Sequence, residues 1–69
     1  MKVLKGKVKP AAGETTYYER WSFTDDAQLQ ITDRNVLIMD SDNAGTDDRP
    51  FGLILHLADY EELLLVKGS

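Results

Sequence analysis

Residues 15–24 are TTYYERWSFT, and this stretch of the chain decides its fold class. Threonine and aromatic residues are typical of β-strands because they pack well on a pleated, half-buried surface. Alternate side chains of a strand point to opposite sides, so Tyr17, Trp21 and Phe23 share one side with Glu19. The pattern predicts a strand with one buried side. The opposite side is mostly polar and holds Thr16, Tyr18, Arg20, Ser22 and Thr24.

Further short segments predict strands before and after this stretch, each bounded by residues that favour turns. They are residues 2–9, 28–32, 36–39, 51–57 and 63–67. Between two of them, residues 40–50 (DSDNAGTDDRP) hold no large apolar side chain and predict a surface loop. The side chains expected to point inward are Leu29, Ile31, Phe51, Leu53, Leu55 and Leu57.

The C-terminal segment allows two interpretations. Residues 59–62 match an Asp-x-x-Glu variant of the capping box, which would begin a short helix through residues 63–67. The alternative is one helical turn at 59–62 followed by a final strand. We favour the strand, because the apolar run from Leu63 to Val66 lacks helical spacing.

Together these segments predict a mainly β fold in a single domain spanning residues 1–69. It is expected to be a single small antiparallel sheet, or a barrel, of five to six short strands. A strand, a helical turn and a last strand at the C-terminus resemble the element order of SH3-like and Sm-like barrels. A chain of this length buries only about 60 % of its unfolded surface, so association would add stability.

Composition excludes several classes of function. The 69 residues include no cysteine, and therefore no disulfide, thiolate metal site or thiol nucleophile. His56 is the one histidine, is expected to be a partly buried strand residue, and lies in no catalytic motif. We predict no enzymatic activity and no cofactor. No secretory signal or membrane-spanning run is visible, which favours a cytoplasmic protein.

Charge is unevenly distributed along the chain. Residues 1–9 carry four lysines and no acid, whereas the rest carries all 12 acids, and the net charge is −4. Lys5, Lys7 and Lys9 share one side of the first strand and, with aromatic neighbours, could hold single-stranded nucleic acid. The acidic total argues against that function. Lysines on an edge strand also deter aggregation.

The loop at 40–50 resembles part of a calcium-binding loop. Asp40, Asp42 and Asp48 occupy positions 1, 3 and 9 of that template, and a glycine occupies position 6. Ala44 and Phe51 stand where further ligands are needed. The three aspartates are therefore a weak calcium candidate, and we predict no metal site.

Aromatic residues are expected to build most of the core, because so small a domain holds few other large side chains. Tyr17 and Tyr18 are adjacent and must point to opposite sides. Tyr18 with Arg20 is a pair of the kind enriched in protein interfaces. The full set of predicted interaction residues is Tyr18, Arg20, Trp21, Tyr60, Lys5, Lys7 and Lys9.

The sequence thus predicts a non-catalytic protein-interaction module that binds another protein, including a second copy of itself. The apolar residues at 36–39 and 63–66 exceed what one small core needs. One alternative is an acidic inhibitor that mimics nucleic acid, of the phage or mobile-element type, which requires the acids to form one patch. Another is a small-molecule or single-strand nucleic-acid site at a barrel mouth or dimer seam, lined by Trp21, Tyr60 and Phe51.

Overall fold

A computed structural model describes residues 1–68 and shows a mainly β protein with six strands. None of the helical structure in that range is long and apolar enough to cross a membrane. The elements are β1 (Lys2–Val8), β2 (Tyr17–Phe23), β3 (Gln28–Ile31), β4 (Asn35–Met39), β5 (Gly52–His56), a 3₁₀ turn (Leu57–Asp59) and β6 (Tyr60–Lys67).

The strands form two three-stranded antiparallel sheets. Sheet A has the order β2-β1-β6 and sheet B has the order β3-β4-β5. The predicted class and the six short antiparallel strands are confirmed, but the strands divide between two sheets instead of forming one. An SH3-like or Sm-like barrel is not seen within residues 1–68.

The edge of β2 explains why the strands do not join into a closed ladder. A barrel requires every strand to bond a strand on both sides. At Ser22, however, the loop after β4 takes the place of a strand: the Ser22 amide donates to the Asp48 carbonyl at 2.8 Å. The Asn43 side chain donates to the Ser22 carbonyl, also at 2.8 Å. The loop therefore ends sheet A at β2.

The predicted helical turn and last strand both begin earlier than expected. The turn spans Leu57–Asp59, and β6 is a strand of 8 residues from Tyr60. Residues 59–62 do not form a capping box, because β6 already pairs with β1 there, Tyr60 opposite Val8. The helix interpretation of residues 63–67 is therefore wrong.

The core lies between the two sheets. Leu4, Trp21 and Phe23 of sheet A pack against Val36, Ile38 and Leu55 of sheet B. Trp21, Phe23 and Leu55 come from the alternate positions that the sequence pattern assigned to the buried side. Residues 36–39 are apolar on both sides of their strand. Partly buried residues extend the cluster, namely Ala27, Leu53, Leu57, Tyr60 and Leu63.

Tyr60 crosses sheet A above Gly6. A methyl group at residue 6 would lie 2.8 Å from Cε1 of Tyr60, so the close approach requires glycine. The ring meets Trp21 edge-on, with centroids 6.5 Å apart. The hydroxyl donates to Oε1 of Glu19 at 2.5 Å. Burial, followed by the Glu19 hydrogen bond, raises the pKa of Tyr60 well above that of an ordinary tyrosine.

The expectation that aromatic residues mostly build the core is only half correct. Trp21 and Phe23 are buried, and Tyr60 is partly buried. Tyr17, Tyr18 and Phe51 are each more than half exposed. Phe51 precedes β5 and turns away from the core, because its ring lies on the loop glycine Gly45, where φ is +78°.

The loop at 40–50 is also more than a surface loop. Asp40 and Asn43 are buried, at 2 % and 6 % exposure. The Asp40 carboxylate accepts hydrogen bonds from both the amide and the hydroxyl of Thr24, at 2.8 and 2.6 Å. The Asn43 side chain also donates to the Pro50 carbonyl at 3.0 Å. These two residues anchor the loop to the end of β2.

Candidate interaction surfaces

Sheet B carries no charged side chain. Among its strand residues in the described structure there is no Asp, Glu, Lys or Arg, although 29 % of the chain is charged. Val36 and Ile38 face the core, so their neighbours on β4 and β5 face outward. On this outer side Met39 is 57 % exposed and Ile54 is 60 % exposed. The sheet therefore presents an uncharged, partly apolar side to solvent.

A groove continues this surface at one end. It has a volume of about 550 Å³ and includes exposed Met39 and Phe51. Asp26 and Asp42 stand in the same groove. Its apolar part therefore has an acidic border, which polar groups of a partner could contact. The remaining lining residues are Gln28, Asp40 and Ser41.

The edge strand β3 leaves apolar residues uncovered. Leu29 and Ile31 lie opposite Ile38 and Val36 and point to the inner side of sheet B, as the sequence predicts. They are nevertheless 41 % and 67 % exposed. The sequence pattern indicates the side on which they lie. It does not indicate how far sheet A extends, and in the structure sheet A leaves both side chains partly uncovered.

The outer side of sheet A brings together four of the predicted interaction residues. Lys5 lies opposite Arg20, and Lys7 lies opposite Tyr18. Tyr18 is 69 % exposed. Lys7 forms an ion pair with Glu61 at 3.4 Å, so part of this positive charge is already neutralised. This side is consequently charged and mixed in sign, unlike the outer side of sheet B.

The other three predicted interaction residues lie elsewhere. Trp21 is 9 % exposed and belongs to the core. Tyr60 is half-buried, with its hydroxyl bound to Glu19. Lys9 follows the end of β1, and its amide donates to the Asp59 carbonyl at 3.0 Å. Trp21 therefore belongs to the core, whereas Tyr60 and Lys9 border a groove of about 350 Å³ together with Tyr17 and Glu19.

The acidic residues fall into separate groups. Asp42, Asp47 and Asp48 lie in the loop beside β2, whereas Glu61 and Glu62 lie on β6, at the opposite edge of sheet A. These edges are two strand spacings apart, and each spacing is about 4.8 Å. Asp40, which the mimic hypothesis needs on the surface, is buried.

The calcium candidates do not converge either. Both oxygens of the Asp40 carboxylate bind Thr24, and the Asp48 carboxylate accepts a hydrogen bond from the Thr46 hydroxyl at 2.8 Å. Within residues 1–68, no group of three or more His, Asp or Glu side chains is placed to hold a metal ion.

His56 is exposed on the outer side of sheet B, instead of partly buried as predicted. Its Nδ1 lies 2.9 Å from the Oδ1 of Asn35, which stands opposite it on β4. A general base acts on a nucleophile within hydrogen-bond reach, but the neighbour here is an amide. The pair borders a second groove of about 560 Å³ near Arg34 and Leu57.

Comparison with known proteins adds no family to these observations: no family model, curated protein or solved structure matches the chain. The uncharged sheet was missed by reasoning from sequence, although its signal is present. Residues 28–31, 35–39 and 52–56 are all uncharged, but only the observed pairing places them in one sheet.

Proposed function

We propose that this protein is a small, non-catalytic protein-interaction module that binds a second copy of itself and another protein through sheet B. The observation that carries this proposal is the absence of charge from every described strand residue of that sheet, together with its exposed apolar side chains. The cores of protein interfaces are depleted in charged residues in the same way.

Electrostatics favour sheet B over sheet A as the surface for self-association. Two copies of a chain with net charge −4 repel each other at long range. In a two-fold contact the same surface meets itself, so a charged side loses the hydration of its charges on both copies. Sheet B avoids that penalty. Sheet A, with Lys5, Lys7 and Arg20 on its outer side, does not.

Sheet B offers two separate contact regions. One is its free edge at β3, where Leu29 and Ile31 are exposed, and the other is its outer side, where Met39 and Ile54 are exposed. We propose the edge and the outer side as two contact regions of one module, each for a different partner.

Sedimentation velocity over a concentration series, at low and at high salt, tests this proposal. We expect dimers to form below about 100 μM, which corresponds to 5–6 kcal/mol. Because the contact is uncharged and salt screens the repulsion between the two copies, the dissociation constant should not rise between about 50 and about 500 mM NaCl. A monomer at about 100 μM in both salts would contradict the proposal. Dissociation by salt would instead indicate a contact through sheet A.

A second candidate function is the binding of single-stranded nucleic acid on the outer side of sheet A. Lys5, Lys7, Arg20 and Tyr18 share that side, which favours a phosphate backbone with one stacked base. The pairing of Lys7 with Glu61 and the net negative charge weigh against it. Fluorescence titration with labelled single-stranded DNA and RNA at low salt separates this function from protein binding.

The two remaining alternatives have less support. An acidic mimic of nucleic acid would need its carboxylates on one surface, and they lie at both edges of sheet A. A ligand site lined by Trp21 and Tyr60 would need both rings to be accessible, and Trp21 is only 9 % exposed. We retain the cytoplasm as the proposed location, because a chain without cysteine suits a reducing compartment.

A further inference from the structure

We infer that two copies of the chain pair through their β3 strands, antiparallel about a two-fold axis at Gln30, and so join two copies of sheet B into one six-stranded sheet. This inference rests on the self-association proposed above and specifies its edge and its register. Its first support is the direction of the backbone groups of β3.

The backbone of β3 alternates between the β4 side and the free edge. The Thr32 amide donates to the Asn35 carbonyl at 2.9 Å, and Gln30 lies opposite Leu37 on the same ladder. In an antiparallel pair, alternate residues direct both backbone groups to one neighbour. Leu29 and Ile31 therefore direct their N–H and C=O groups to the free edge, where a second β3 strand can accept and donate.

The side chains of the same two residues are self-complementary. With the axis at Gln30, Leu29 of one copy stands opposite Ile31 of the other, and the reverse pair forms on the other side of the axis. All four of these apolar side chains lie on the inner side of the joined sheet. They cover one another, and so remove the exposure of 41 % and 67 % seen in the single chain.

The other edges of the two sheets are less suited to this pairing. The edge of β2 is bonded by the loop residues Asp48 and Asn43. The edge strand β6 carries Glu61 and Glu62 together with Lys67. At β5 the inner residues Leu53 and Leu55 are already packed in or against the core, so a second strand would cover little.

The β3 edge has one of the usual protections against pairing, its length of only 4 residues, and lacks the others. The others are lysine, proline, an inward charge and a bulge. β3 is Gln-Leu-Gln-Ile, is exposed at every position, and pairs with β4 in regular register. An edge without charge, proline or bulge, on a chain that guards β6 with charges, points to a site of contact.

Pairing at β3 leaves the outer side of sheet B free. Met39 and Ile54 face away from the inner side on which Leu29 and Ile31 meet. The joined sheet therefore presents these residues from both copies on one continuous surface. That surface is available to a second protein while the dimer is intact.

Single-cysteine variants test the register directly, because the chain has no cysteine of its own. Gln30 faces its own copy as a pair without backbone hydrogen bonds, where Cα atoms lie about 4.5 Å apart, within the range of a disulfide. Gln28 is the matched control. It lies on the same side of β3 but opposite Thr32, so the two Gln28 residues are about 14 Å apart.

Under mild oxidation, at concentrations where the wild type sediments as a dimer, we expect Gln30→Cys to cross-link nearly completely. Gln28→Cys should cross-link at least about tenfold more slowly. Equal rates, or no cross-link at Gln30 in a dimeric protein, would overturn the β3 pairing and leave the proposed self-association standing. A wild-type protein that is monomeric at about 100 μM would overturn both.

Charge substitutions give an independent measurement. Gln30→Lys and Gln30→Glu each place like charges opposite each other, and we expect each alone to weaken the dimer by about fivefold. Mixing the two variants should restore a mixed dimer, because the charges are then opposite. Gln28→Lys should leave the dissociation constant of the dimer unchanged. If Gln30→Lys dimerises as tightly as Gln28→Lys, the register is wrong.

Discussion

Asp40, at the end of β4, binds both the amide and the hydroxyl of Thr24, just beyond the end of β2. This pair ties sheet B to sheet A outside the apolar core. It also holds the loop at 40–50 in the position where Asp48 and Asn43 bond the edge of β2. The local fold of the loop and the arrangement of the two sheets therefore depend on the same buried carboxylate.

Replacing Asp40 is expected to destabilise the protein. Asp40→Ala leaves the polar groups of Thr24 without their partner, and hydrogen bonds to charged groups contribute about 1.5–3 kcal/mol. Asp42→Ala is the control, since Asp42 is exposed in the same loop and should change stability by less than about 0.5 kcal/mol. Urea unfolding measures both. Equal free energies for the two variants would contradict the structural role of Asp40.

Gly6 is expected to tolerate no side chain. Gly6→Ala would bring a methyl group within 2.8 Å of the Tyr60 ring, and overpacking of this kind costs about 1–3 kcal/mol. Gly52→Ala is the matched strand control, because its nearest neighbour would lie at an ordinary contact distance of 3.5 Å. Thermal unfolding should show a lower midpoint for Gly6→Ala alone. Equal midpoints would mean that Tyr60 moves aside without cost.

Alkaline pH is expected to destabilise the protein through Tyr60. Its pKa is raised in the folded state, mainly by burial and secondly by the hydrogen bond to Glu19. An unfolded tyrosine titrates at about pH 10. The stabilisation is thus complete below about pH 10. It is lost as the pH rises above that value, because only the unfolded state then releases the proton, at up to about 1.4 kcal/mol per pH unit.

Unfolding free energies of the wild type and Tyr60→Phe between about pH 8 and 11 test this expectation. The two proteins differ only by the Tyr60 hydroxyl, so the difference between their two curves isolates Tyr60. We expect the wild type to lose stability more steeply than Tyr60→Phe above pH 10. Parallel curves would show that the Tyr60 hydroxyl titrates alike in both states.

Ile54 is expected to contribute to partner binding without supporting the fold or the dimer. It is 60 % exposed on the outer side of sheet B and distant from the β3 edge in the strand order. Ile54→Lys should therefore change the free energy of unfolding by less than about 0.5 kcal/mol. The dissociation constant of the Ile54→Lys dimer, measured by sedimentation, should match that of the wild type. Loss of the dimer in Ile54→Lys would place the self-association on the outer side of the sheet instead.

Local patterns predicted the strands, whereas their assembly depended on contacts between distant residues. Alternation located β2 and its buried side correctly, and turn residues marked nearly every boundary. At Ser22, β2 bonds Asp48 and Asn43 of the loop, and Asn43 is 21 residues away from Ser22 in the chain. No local pattern shows that contact, and the prediction of one sheet or a barrel failed for this reason.

The candidate site was predicted in part for a similar reason. The exposed residues Tyr18, Arg20, Lys5 and Lys7 do share one side, because strand alternation and pairing with the next strand are local rules. The exposure of Leu29 and Ile31 depends instead on how far sheet A extends over sheet B. The uncharged character of sheet B follows from pairing β3, β4 and β5, which single segments do not show.

Amide hydrogen exchange at single-residue resolution, at protein concentrations below and above the dissociation constant of the dimer, distinguishes pairing through β3 from self-association elsewhere. Leu29 and Ile31 direct their amides to the free edge, whereas the Gln30 amide bonds β4 in both states. We predict that exchange at Leu29 and Ile31 slows at least about tenfold on dimerisation, while Gln30 stays equally protected. Protection that rises with concentration on β2 or β6, and not at Leu29 and Ile31, would contradict pairing through β3.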